Sequence, residues 1–213
     1  MNKIKLLYDV ARVMRDKDNL SGKVKISGMK NGVEAFRFDN EFSKDLLDGT
    51  SKARITSVVD YNGKQIKHES NTEFNIYQDS GDEKQCHKRT LPFHRHHACK
   101  HRLGAKEKLD RLTAFLAALN DMKVVEQQDQ SLLLSLDLQD IPEELRPGSR
   151  HLHRHHYLHG FLPGSCSMDE GILQCRINKK YEVEDILIDI KGKLEQDDQI
   201  HDLTLNTVIN FTL

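Results

Sequence analysis

Two Asn-Gly dipeptides, Asn31-Gly32 and Asn62-Gly63, each sit between β-prone arms, and no other feature narrows the fold so far. A two-residue hairpin turn needs backbone at positive φ, which asparagine and glycine tolerate and most side chains do not. Lys23-Val24-Lys25-Ile26-Ser27 alternates ahead of the first turn, and Val33 to Phe42 is a β-prone run behind it. Ala53 to Tyr61 leads into the second turn, and Gln65 to Tyr77 returns with Ile66, Phe74 and Ile76. These arms predict an antiparallel meander.

Helical spacing frames the meander. Ile4, Leu7, Tyr8, Ala11 and Met14 recur at helical intervals, predicting a short amphipathic helix over 4–15. From Gly104 to Met122 the residues Leu109, Leu112, Phe115, Leu116 and Leu119 mark one face of a longer helix. Strand patterning then returns. Leu132, Leu134, Leu136 and Leu138 alternate, as do Ile186, Ile188 and Ile190 within Tyr181 to Leu194. A turn at Glu195 to Gln199 leads to Leu203, Leu205, Ile209 and Phe211. Arms this long exceed a typical strand, so bulges or strong twist are expected. The expected class is α+β: a curved, mainly antiparallel sheet, open like a half-barrel, packed against one long and one short helix. One β-rich domain over 1–213 is expected, with two loosely similar halves, 1–102 and 103–213.

Charge removes some function classes. Lys plus Arg total 32 against 33 for Asp plus Glu, which gives no global attraction to nucleic acid or anionic membrane. Nucleic acid is therefore not an expected partner. No run of eighteen apolar residues occurs, so no transmembrane segment is expected. The four cysteines are Cys86, Cys99, Cys166 and Cys175. Cys166 and Cys175 flank a turn expected at Met168-Asp169-Glu170-Gly171, and either close a local bridge or stay as free thiols.

Histidine crowding is the strongest chemical signal. Nine of the twelve histidines fall in two stretches, one holding His94, His96, His97 and His101, the other His151, His153, His155, His156 and His159. Alternate residues of a strand share a face, so His94 with His96, or His151 with His153 and His155, would point together. Cys99 and His101 form another same-side pair. Two such ribbons side by side would supply the three or four ligands that a transition metal needs. Zinc is the first expectation, with nickel or copper next, because imidazole suits all three. Arg95, Arg102, Arg150 and Arg154 crowd the same imidazoles, so each stretch gains positive charge in mild acid.

Catalytic patterns do not accompany this crowding. No His-Glu-x-x-His occurs, and Gly164-Ser165-Cys166-Ser167 does not make a nucleophile elbow. A metal-dependent hydrolase with Asp169 or Glu170 as base is the remaining enzymatic reading.

The helix from Leu6 to Arg15, the Lys23-to-Ser27 strand, the Asn62-Gly63-Lys64 hairpin, the helix from Lys106 to Met122 and the long terminal hairpin together resemble a bacterial family. These are extracytoplasmic lipoprotein carriers and related lipoproteins, built on a curved antiparallel sheet closed by helices. The resemblance implies a periplasmic or envelope-associated protein, its leader absent from this chain, with peripheral or lipid-anchored membrane association. It also implies an acyl chain or other apolar molecule held in the concavity. The histidine stretches depart from that pattern. Non-enzymatic binding of a hydrophobic molecule or a protein partner is therefore the leading expectation, and histidine-based transition-metal binding the alternative.

Overall fold

A computed structural model describes residues 2–61, 63–75, 113, 117–141, 165–196 and 199–212. Helix α1 spans Lys3–Arg15 and is capped by Asn2, whose side-chain oxygen accepts from the Lys5 N–H at 3.1 Å. Arg12 and Arg15 occupy its last turn, where cations oppose the helix dipole. The second helix, α2, is described at 113 and 117–121.

Among the described residues nine strands follow one another in a single antiparallel sheet. They are β1 (Asn19–Lys30), β2 (Val33–Asp45), β3 (Thr50–Tyr61), β4 (Lys64–Asn75), β5 (Lys123–Glu126), β6 (Leu132–Asp137), β7 (Ser165–Ile177), β8 (Val183–Gln196) and β9 (Gln199–Thr212). Their spatial order is β4-β3-β2-β1-β9-β8-β7-β6-β5, so the sheet is open and β1 pairs with β9 at its middle. This is the expected α+β architecture, a curved open sheet with helices packed on it. Among the described residues no helix is long and apolar enough to cross a membrane.

Turn chemistry acts as the sequence predicts. Asn31 and Gly32 take φ of 51° and 77°, and Gly63 takes 76°. Bulges interrupt the ladders at Gly28/Met29, Met168/Glu170 and Arg176/Ile177. An extra residue in one strand bends it, which lets strands of twelve to fourteen residues follow a curved sheet.

One expectation is corrected here. The segment Met168-Asp169-Glu170-Gly171 is not a turn; it runs inside β7, with Asp169 the extra residue of a bulge. Cys166 and Cys175 therefore lie nine residues apart on one strand, roughly 30 Å at strand rise. A disulfide requires Cα atoms within about 7 Å. The two cannot bridge, and Cys175 is a free thiol.

The buried core lies over one half of the sheet. Leu6 and Val10 of α1 pack with Met122, Leu134 of β6 and Ile177 of β7, flanked by Leu119, Val124, Leu132 and Val183. Lys17 ties the end of α1 to the turn before β8 through a 2.7 Å ion pair with Glu182.

Candidate functional site

Directly paired residues in an antiparallel sheet point to the same face, so the register defines that face row by row. One row carries Cys175, Ile186, Ile209, Val24, Asn40 and Ile55 from β7 across to β3. The next carries Leu173, Ile188, Thr207, Ile26, Phe38 and Ser57. A third carries Ile190, Leu205, Gly28, Phe36 and Val59. These three rows form one apolar face, continuous with the surface that α1 covers at Leu134 and Cys175.

The opposite face is polar. Lys23 stands opposite Glu41 and pairs with it at 2.6 Å, and Lys52 stands opposite Glu73 at 3.2 Å. The Lys23 hydrogen bond and charge hold the Glu41 carboxyl below its ordinary range. Alternation of period two along each strand thus separates an apolar side of the sheet from a polar one.

Among the described residues the apolar face is unevenly covered. The buried cluster takes residues from α1, β6, β7 and the end of α2, and none from β9, β1, β2 or β3. There Ile209, Leu205, Val24, Ile26, Phe36, Phe38, Ile55 and Val59 are half-buried. Asn40 is the amide within this area, and its Oδ1 is sealed from solvent with no hydrogen-bond partner among the described residues. An unmet acceptor in apolar surroundings is costly. The area can take an apolar molecule by excluding water from side chains that the fold leaves partly wet.

A recess lies on the polar face. A cleft of about 410 Å³ is lined by Asp137, Gln139, Asp140, Glu170, Gly171, Ile172, Asp189 and Lys191. Three of its carboxylates have partners: Lys123 lies 3.3 Å from Asp137, Lys191 lies 3.6 Å from Glu170, and Asn206 donates to Asp189 at 2.6 Å. Asp169 accepts from the Ser167 hydroxyl at 3.2 Å. No group of three or more metal-ligating side chains gathers among the described residues.

The expected ligand residues His94, His96, His97, Cys99, His101, His151, His153, His155, His156 and His159 all lie outside the described residues. The sequence did not single out the rows of β9, β1, β2 and β3 as a site. Their signal was present as alternation at Val24 and Ile26, Phe36 and Phe38, and Leu205 and Ile209. What one strand cannot reveal is its neighbour, and adjacency makes the surface.

No protein-family model matches the chain, and no curated protein matches it. Among solved structures it is similar to an N-terminal dehydratase from the difficidin assembly line, at 11% identity over 99% of this chain and 83% of that one, with a TM-score of 0.18. It is also similar to an inactive mutant of CurJ dehydratase, at 9% identity over 99% of this chain and 81% of that one, with a TM-score of 0.14. At those TM-scores neither likeness carries an argument about this chain.

Proposed function

We propose that this protein binds an elongated hydrophobic molecule, with an acyl chain as the model ligand, along the β9-β1-β2-β3 half of its apolar face. The supporting observation is the half-buried aliphatic and aromatic surface there, contiguous with the core yet contributing nothing to its buried cluster. Burying about ten methylene groups would contribute roughly 8 kcal/mol before the cost of association. That sets micromolar affinity as the ceiling for a chain of such length. Such non-enzymatic carriage fits the cell-envelope location that the family resemblance implies.

The test is native mass spectrometry of protein purified without detergent, with titration of an environment-sensitive naphthylamine probe and displacement by a fatty acid. A retained apolar molecule or saturable, displaceable probe binding is expected. Absence of both would refute the reading.

A second reading rests on the histidine crowding. The two stretches would bind zinc, with nickel or copper as weaker competitors, through imidazoles converging from both. Elemental analysis of untagged protein tests it.

A further inference from the structure

Among the described residues the sheet ends in two unequal edges. β5 offers four residues, whereas β4 offers twelve, of which all but Ser70 and Asn75 are exposed. An edge strand of that length presents a row of outward N–H and C=O groups, a template for another strand. Ile66 is 60% exposed and Phe74 48%. Both stand on the apolar face, opposite Val59 and Ser51 of β3.

The sequence of β4 is self-complementary about Ser70. Let two copies of the strand run antiparallel about a twofold axis through that residue, so that each residue meets the one equally far beyond it. Ile66 then faces Phe74, and Lys67 faces Glu73. His68 faces Thr72, and Glu69 faces Asn71. Both apolar contacts lie on the apolar side, both ion pairs on the polar side, and symmetry makes each contact twice. Moving the axis one residue to Glu69 sets that carboxylate against its own copy. Moving it to Asn71 sets Glu69 against Glu73. Like charges directly opposite are unfavourable, so the register through Ser70 is selected over its neighbours.

Existing partners do not block this arrangement. Lys67 pairs with Glu69 at 2.6 Å and Glu73 with Lys52 at 3.2 Å, but all four side chains are about 60% exposed. Solvent-exposed pairs hold their geometry weakly and yield to a competing partner.

We propose that β4 is the interface of a symmetric homodimer in which a second copy of this chain adds antiparallel to that edge, with Ser70 on the twofold axis. The two apolar faces then run on into one another across the junction. The inference does not depend on what the apolar face binds.

Sedimentation velocity and light scattering over concentrations reaching hundreds of micromolar provide the test. The native chain is expected to dimerise. Lys67→Glu alone, or Glu73→Lys alone, sets like charges opposite each other twice and should weaken dimerisation by about tenfold or more. Mixing the two single variants should restore a dimer, because each then offers the sign that the other lacks. The double variant should restore a homodimer. Rescue on mixing also shows that the single variants are folded. A native chain that stays monomeric, a dimer indifferent to either reversal, or single variants that fail to associate when mixed would each overturn the proposal.

Discussion

Phe42 and Phe211 meet edge to face across β1, with ring centroids 6.2 Å apart and planes at 82°. The residue between them is Gly22, which pairs with Phe42 on one side and Phe211 on the other. Its missing side chain lets rings from β2 and β9 close over an intervening strand. Edge-to-face geometry brings the positive rim of one ring to the negative face of the other.

A methyl group at Gly22 would sit 2.3 Å from the Asn210 carbonyl oxygen and 3.0 Å from the Phe42 ring. The carbonyl belongs to the neighbouring strand's backbone and cannot rotate away. Gly22→Ala should therefore cost about 3 kcal/mol. At Gly28 the clash, 2.1 Å, is with the ring of Phe36, a half-buried side chain and not backbone. Gly28→Ala should cost about 1–2 kcal/mol. Urea unfolding midpoints check the order, and Gly28→Ala proving the more damaging would contradict it.

Acid should erode stability through specific carboxylates. Hydrogen bonds from the Ser131 hydroxyl and N–H, then Arg176, pull Asp129 down from 3.8 to about 2. Asn178 first, then Lys17, lower Glu182. A carboxyl with a depressed folded pKa binds fewer protons than its unfolded counterpart. Its contribution is complete above the unfolded value and lost as pH falls through the folded one. For Asp129 the loss spans the interval from 3.8 to about 2. Asp129→Asn and Glu182→Gln should each flatten the acid limb of a stability-versus-pH curve; an unchanged slope would contradict the assignment.

Cys175 should resist alkylation while the protein is folded. Burial, followed by the Asp185 charge, pushes its thiol up to about 11, leaving very little thiolate near neutral pH. Peptide mapping after iodoacetamide treatment should show Cys175 unmodified in buffer and modified in denaturant. Rapid labelling in buffer would show that the region opens.

Ligand binding should be sensitive to side. Ile26→Asp or Phe38→Asp places a charge on the apolar face and should weaken naphthylamine-probe binding by about tenfold or more. Lys25→Asp changes charge on the opposite face and should leave the affinity unchanged. Equal losses from both faces would assign the probe to non-specific adsorption.

On the metal reading, untagged protein carries one zinc per chain, and a chelator lowers its melting temperature. Joint replacement of His151, His153 and His155 by alanine should abolish both the metal and the chelator effect. Full zinc content in that triple variant would exclude the second stretch as a ligand source.

Local signals carried most of the fold. The Asn-Gly dipeptides at positions 31 and 62, the helical spacing from Ile4 to Met14 and the period-two runs around Ile26, Leu134 and Ile188 each encode their own geometry within a few residues. β7 escaped because Met168-Asp169-Glu170-Gly171 has the composition of a turn, whereas neighbouring strands hold it extended around a bulge. In that context Gly171 is required for contact: a Cβ there would lie 2.3 Å from Leu138, which closes over it. The short strand β5 likewise exists through its pairing with β6 more than through its own pattern. The apolar face was legible as alternating residues but not as a surface, because β1-to-β9 adjacency is a long-range fact. The histidines were legible as chemistry and lie outside the described residues.

The β1–β9 ladder joins residues as far apart as Ser21 and Thr212. During synthesis neither the β1–β4 block nor the β5–β8 block can be sealed before β9 has emerged. The flank of β1 therefore stays bare from the emergence of the β1–β4 block until β9 has been made. Closure is a late, long-range search, slow by the physics of loop entropy and exposed to mispairing. Recovery from denaturant should accordingly depend more on dilution and chaperones than on the native state's own stability.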